Sequence, residues 1–223
     1  MSLLPNEWVI VGSGTLGRQV EAVLQAHAQQ RGERVLGFLD DDGSKVGQEV
    51  VGLPILGPPE EWLSEHGRPV QVAMALGNPE FRRKGVEKIR SLEVGACFTP
   101  IIHPTSSVGP RVELGEGVIL MAGVLCQCDL QIGAFSILGA GSSVSHDCEI
   151  GLCSWLSPGA RLAGYARIGN ECWIGMNASI LGDVMIHDRA QVGAGCVVLH
   201  DVPEGEVVAG VPAVPTRLLR NRP

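Results

Sequence analysis

The sequence predicts a small α/β domain over residues 1–102 followed by an all-β prism over residues 103–223. Three observations carry that prediction. An apolar strand runs into a glycine turn at residues 8–17, aliphatic side chains recur every sixth residue from Val108 to Val198, and the chain holds 30 Gly but only one Tyr and four Phe. Abundant glycine with few aromatic residues implies many turns and a core of small aliphatic layers.

With 223 residues, 45% of them hydrophobic, the chain can bury a sizeable core in one large or two small domains. Its formal net charge of -7 and the lack of a basic block argue against nucleic acid as a partner, because gripping phosphates takes clustered Lys and Arg. The opening MSLLPNEWVIVGSG has no basic segment leading into an apolar one. No apolar run approaches the ~18 residues of a membrane span. A cytoplasmic protein with no membrane partner is expected.

In the first half, WVIVGSGTLG at 8–17 reads as a strand followed by Gly12, Gly14 and Gly17 in G-x-G-x-x-G spacing, and residues 18–30 read as a helix. Strand, glycine turn and helix N-terminus together form a cradle in which backbone N–H groups can approach an anion. A second strand, RVLGFLDDDG, ends in Asp40, Asp41 and Asp42, where a carboxylate suits ribose hydroxyls or a turn cap. A third, PVQVAMALGN at 69–78, ends in Gly77 and Asn78 before the helix PEFRRKGVEKIRSL, and GACF at 95–98 closes a small Rossmann-like parallel sheet. The glycines fit close strand-to-helix packing, a nucleotide or nucleotide-sugar site, or NAD. About 100 residues leave no room for the substrate domain of a dehydrogenase, so NAD is not expected.

From Val108 in steps of six come Val, Leu, Leu, Cys, Ile, Leu, Val, Ile, Leu, Leu, Ile, Ile, Ile, Ile, Val and Val198, with small residues four positions after most of them. Three such hexads make one triangular coil, each short strand turning an aliphatic side chain inward and small residues passing the corners. About five coils with no inserted loop form a left-handed parallel β-helix of hexapeptide repeats. Cys148, Cys172 and Cys196 fall at the small position and Cys126 at the aliphatic one, which makes them buried hydrophobes. Cys126 and Cys128 form only a C-x-C, so no metal is expected. His146 falls two residues after Val144, outside both buried positions, and belongs on the outer surface.

A glycine-loop α/β domain followed by an unbroken hexapeptide prism containing SVSHDCEIG and VVAGVPA resembles the nucleotide-aminosugar N-acetyltransferases of the bacillosamine and perosamine type, close to proteins labelled sialic acid O-acetyltransferases. The resemblance spans nearly the whole chain, from VIVGSGTLGR through GFLDDD, ALGN and HPTSSVGP to residue 213. It implies an acetyl-CoA-dependent homotrimer with each active site in a groove between neighbours. The acceptor would be a nucleotide-linked aminosugar, held by the first domain through Gly12, Ser13, Gly14, Gly17, Asp40, Asp41, Gly77 and Asn78. By the same likeness His146 is the catalytic histidine and Asp147 the acid that orients it. The backbone of Gly164 faces the acetyl thioester, and Gly182 with Gly210, Val211, Pro212 and Ala213 lies along the CoA arm.

The sequence departs from the family pattern in three places. Thr15 and Leu16 stand where relatives carry G-H in the glycine loop. Trp155 stands where a second histidine is common, at a position expected to contact acetyl-CoA. Val214 replaces a frequent lysine, leaving Arg217 and Arg220 as cations for CoA phosphates. An O-acetyltransferase and a non-catalytic trimeric nucleotide-binding module are the alternative readings.

Overall fold

A computed structural model describes residues 5–219. The chain forms two compact units, Met1–Pro104 and Thr105–Pro223.

The first unit is built on β1 (Glu7–Val11), α1 (Thr15–Gln29), β2 (Arg34–Leu39), β3 (Glu49–Val50), β4 (Leu53–Gly57), α2 (Pro59–His66), β5 (Val70–Met74), α3 (Pro79–Arg90) and β6 (Ala96–Cys97). Its sheet has the order β3-β4-β2-β1-β5-β6, parallel except for the β3–β4 hairpin. Trp8, Val9 and Ile10 of β1 and Val72 of β5 are fully buried, as the apolar runs demand of strands covered on both faces. Strand order reverses at β1, with β2 on one side and β5 on the other. Such a switch point opens a crevice at the carboxyl ends of the strands.

The structure departs from the sequence reading at several boundaries and in one segment. Helix α1 begins at Thr15 rather than residue 18, because Gly14 already serves as its N-cap. Strand β5 stops at Met74, so Ala75–Asn78 is a loop. The segment from β3 through α2 was not anticipated, since Gly and Pro interrupt any period in EVVGLPILGPPEEW.

The second unit is the predicted prism. Its first face stacks Ile119–Leu120, Ile137–Leu138, Trp155–Leu156, Trp173–Ile174 and Gln191–Val192. The second stacks Ser107–Val108, Leu125–Cys126, Ser143–Val144, Arg161–Leu162, Ser179–Ile180 and Val197–Val198. The third stacks Val112–Leu114, Leu130–Ile132, Glu149–Ile150, Arg167–Ile168 and Met185–Ile186. All are parallel, and partners such as Leu138 and Leu156 lie eighteen residues apart. After Val198 the coil shortens, and Gln191 pairs with Val207.

Inside, Leu120, Leu138, Leu156, Ile174 and Val144 are fully buried, in the slots the sixfold period assigns. The small slots also carry polar links. Ser136 Oγ donates to Gly151 O at 2.7 Å and accepts from the Ser154 amide at 3.0 Å, and Ser154 Oγ repeats both bonds with Gly169 O and the Cys172 amide. Glycine is required where one coil rides on the next: a Cβ on Gly151 would lie 2.5 Å from the Gly169 carbonyl carbon. Gly151→Ala is therefore expected to destabilise the protein by ~1–3 kcal/mol, whereas Gly43→Ala, with open space around it, stays within ~0.5 kcal/mol. Urea unfolding of both variants checks the contrast.

Candidate functional site

The turns from the second face to the third stack Cys128, His146, Gly164 and Gly182 in one column. Each turn is tied to the one before it: Asp147 N donates to Cys128 O at 3.2 Å, Tyr165 N to His146 O at 3.1 Å and Asp183 N to Gly164 O at 3.3 Å. Asp147 has φ 56, a left-handed conformation that Asp tolerates better than most residues. The acid after the histidine therefore also fits the corner it occupies.

His146 Nδ1 lies 2.9 Å from Asp147 Oδ2. A carboxylate only accepts, so Nδ1 carries the proton and Nε2 presents its lone pair. Both side chains are nearly half exposed, at 46% and 43%. Tyr165 meets the imidazole edge-on, ring centroids 5.2 Å apart. From below, the ring rests on Gly164, where a Cβ would come within 2.5 Å of His146 Cε1 and 2.7 Å of Nε2. A Cβ on Gly182 would in turn approach Gly164 O at 2.9 Å. Among the described residues the Gly164 amide donates to no backbone carbonyl, which leaves it available to an incoming oxygen.

Above the dyad, Arg111 Nε and Nη2 hold both carboxylate oxygens of Asp129, at 2.5 and 2.8 Å. These bonds, with one from Cys128, bring the Asp129 carboxyl down to about 2. An Arg111–Asp129 ion pair thus sits one coil above His146. Burial pushes the Cys126 and Cys172 thiols up to about 11, so neither supplies a thiolate near neutrality. No group of three or more His, Cys, Asp or Glu among the described residues is placed to hold a metal.

The tail segment closes the lower end of the second face. Val197 N donates to Gly210 O at 3.3 Å and Ala213 N to Val197 O at 2.9 Å, while Val211 and Pro212 form the exposed turn between. Arg217 pairs with Glu206 at 3.3 Å, and Arg220 lies outside the described residues. Trp155 is not brought to His146: half a coil separates them, which puts Trp155 on the first face, opposite the His146 corner. It is buried, stacked on Trp173 with centroids 5.5 Å apart, and its Nε1 has no hydrogen-bond partner. A shallow groove on the third face passes Glu113, Gln131, Glu149 and Arg167, toward the edge away from His146.

In the first unit, the glycine turn and Asp40 meet at the carboxyl ends of β1 and β2. Asp40 Oδ2 accepts from the Ser13 amide at 3.1 Å and from the Ser13 hydroxyl, and Oδ1 accepts from the Asp42 amide at 3.1 Å and Lys45 Nζ at 3.0 Å. Burial pushes this carboxyl up, but the bonds from Ser13, Asp42 and Lys45 outweigh it and bring it to about 2. Asp40 therefore shapes the cradle, and Asp41 beside it is exposed. A Cβ on Gly17 would fall 2.0 Å from Gly12 O, so the third glycine is dictated by packing of α1 on the turn. Gly14 caps α1 with no side-chain bond, leaving the first-turn amides for a ligand. Asn78 Oδ1 accepts from Phe81 N at 3.1 Å as the N-cap of α3, next to Gly77. A groove here is lined by Ser13, Gly14, Thr15, Arg18 and Glu49–Val51. The sequence reading missed Arg18 and the β3 residues, Arg18 because it was counted only as helix and β3 because no period marked it.

Residues 7–89 match the family described as the PglD N-terminal domain, and residues 165–200 match the bacterial transferase hexapeptide repeats. A search of curated proteins found no match. Among solved structures, PerB from Caulobacter crescentus, in complex with CoA and GDP-perosamine, is 34% identical, with 96% of this chain and 99% of that chain covered at a TM-score of 0.85. The acetyltransferase domain of PglB from Neisseria gonorrhoeae, in complex with acetyl coenzyme A, is 30% identical over 95% and 99% of the two chains, with a TM-score of 0.84. WeeI from Acinetobacter baumannii is 27% identical over 93% and 98%, also at 0.84.

Two outcomes test this geometry. Gly164→Ala should displace the His146 ring and lower acyl-transfer turnover by ~10²-fold, with Tm changed by only a few degrees. Asp40, ionising at about 2 in the folded state against ~3.9 unfolded, contributes stability that is complete above pH ~4 and lost as pH falls through 2. The stability gap between the wild type and Asp40→Asn in urea should accordingly shrink between pH 4 and pH 2.

Proposed function

Because this chain belongs to the hexapeptide-repeat N-acetyltransferases of the perosamine and bacillosamine type, we propose that it moves the acetyl group of acetyl-CoA directly onto the amino group of a nucleotide-linked 4-amino-6-deoxy sugar. The observation that carries the mechanism is the His146–Asp147 contact above Gly164. The neutral amine attacks the thioester carbonyl. As the C–N bond forms, the nitrogen proton becomes acidic and passes to His146 Nε2, while Asp147 holds Nδ1–H and balances the developing imidazolium. The Gly164 amide is placed to meet the oxyanion, an interaction typically worth a few kcal/mol. Collapse of the intermediate expels the CoA thiolate, which takes up the proton held by His146 and so restores the neutral imidazole, and no acyl-enzyme forms. CoA lies along Gly182 and the 210–213 turn, and the nucleotide sits in the first unit at Gly12–Gly17, Asp40, Asp41, Gly77 and Asn78.

The reading includes a homotrimer. Trp155 lies half a coil from His146, so it joins a His146 site only when supplied by a neighbouring copy. No helix among the described residues is long and apolar enough to cross a membrane. The reading also includes a cytoplasmic location.

The test is mass-spectrometric detection of acetyl transfer from acetyl-CoA to UDP-, dTDP- and GDP-linked 4-amino-6-deoxy sugars. The wild type should add one acetyl group to one of them, and His146→Ala should lower the rate by ~10²–10⁴-fold. Failure of an intact wild-type trimer to acetylate any of the panel would overturn the proposal.

A further inference from the structure

Arg82 is a fully buried cation to which the mechanism above gives no task. It shares the inward face of α3 with Pro79, Val86 and Ile89, in a stripe that a helix ordinarily fills with apolar side chains. Burying a guanidinium is costly unless its N–H groups meet acceptors. Here Nη1 donates to Leu76 O at 2.6 Å and reaches Gly77 O at 3.5 Å. Both carbonyls belong to the loop between β5 and α3.

That loop adjoins the glycine turn. Ala75 N donates to Val11 O at 2.9 Å, and a Cβ on Gly12 would lie 2.9 Å from Ala75 O and 3.2 Å from Leu76 Cδ2. On the other side of the loop, a Cβ on Gly85 would lie 3.1 Å from Leu76 Cδ1. The loop is thus held between the glycine turn and α3, and its last two carbonyls before Asn78 both face one nitrogen, Nη1, of a buried guanidinium.

We propose that Arg82 is a positioning residue for the nucleotide-sugar site, holding the Leu76–Gly77 backbone so that Gly77 and Asn78 present a preformed wall to the nucleotide. The inference rests on the reading that the nucleotide binds at the carboxyl ends of β1 and β5. Preorganisation of this kind strengthens binding by sparing the ligand the entropy of ordering the loop. A lysine keeps the charge but not the planar guanidinium that aims Nη1 at both carbonyls, so it is not an equivalent replacement.

The experiment uses the full chain carrying Arg82→Lys or Arg82→Met, with steady-state kinetics on both substrates and hydrogen exchange of the loop amides. KM for the nucleotide sugar should rise about tenfold in either variant, with kcat and KM for acetyl-CoA within about twofold of wild type, and the amides of residues 76–78 should exchange faster while those of β1 keep their protection. An unchanged nucleotide-sugar KM in a folded variant overturns the inference. So does an equal loss on both substrates, or failure of both variants to fold, since either assigns Arg82 to general packing. If the wild type acetylates no nucleotide sugar, the functional reading fails separately, and unchanged loop exchange in Arg82→Lys then overturns the positioning role on its own.

Discussion

Backbone hydrogen bonds between coils eighteen residues apart are the constraint on which the prism depends. Each short strand bonds to the strand one coil above and one coil below, so a position in the hexad has the same height, face and direction in every coil. This satisfies backbone polar groups in a body with little regular structure longer than three residues, and leaves the aliphatic slots to fill the interior. It also brings residues distant in sequence into columns. His146 stands over Gly164 and Gly182 for the same reason that Leu138 stands over Leu156.

The column converts a structural rule into a chemical one. At Gly151 a Cβ would meet the backbone of the next coil, but beneath His146 it is the imidazole ring that occupies the volume where a Cβ would be, so Gly164 is set by the side chain of its neighbour one coil away. Asp147 answers two demands at once: the left-handed turn favours a short polar residue, and its carboxylate fixes the imidazole tautomer. In the first unit the analogous economy is electrostatic. Asp40 links the glycine turn to the loop after β2, and Arg82 fixes the loop after β5; both spend charge on backbone placement at the ends of the strands.

Periodic features were legible in the sequence and aperiodic ones were not. The sixfold recurrence named the core residues of the prism from Leu120 to Val198, placed four cysteines inside and put His146 outside, because each slot has one environment; in the first coil the rule fails, with Val108 exposed and Leu114 half-buried. The glycine turn was equally readable, since Gly17 has no room for a side chain. The β3–β4 hairpin and α2 escaped notice because a two-residue strand has no period and its Gly and Pro neighbours read as loop. Arg82 drew no separate reading from the sequence, although its spacing with Pro79, Val86 and Ile89 was a signal that it faces inward. The placement of Trp155 on the first face was implicit in counting nine residues from His146, half of an eighteen-residue coil.

The role proposed for His146 Nε2, aimed by Asp147 and seated on Gly164, is to receive the proton of the attacking amine. The most direct measurement is a crystal structure of the protein with CoA and a nucleotide-linked 4-amino sugar bound. The sugar nitrogen should lie within hydrogen-bond reach of Nε2, at roughly 2.6–3.2 Å, on the side of the ring facing the thiol of CoA. A sugar nitrogen several ångströms from Nε2, or bound against another titratable group, would contradict it.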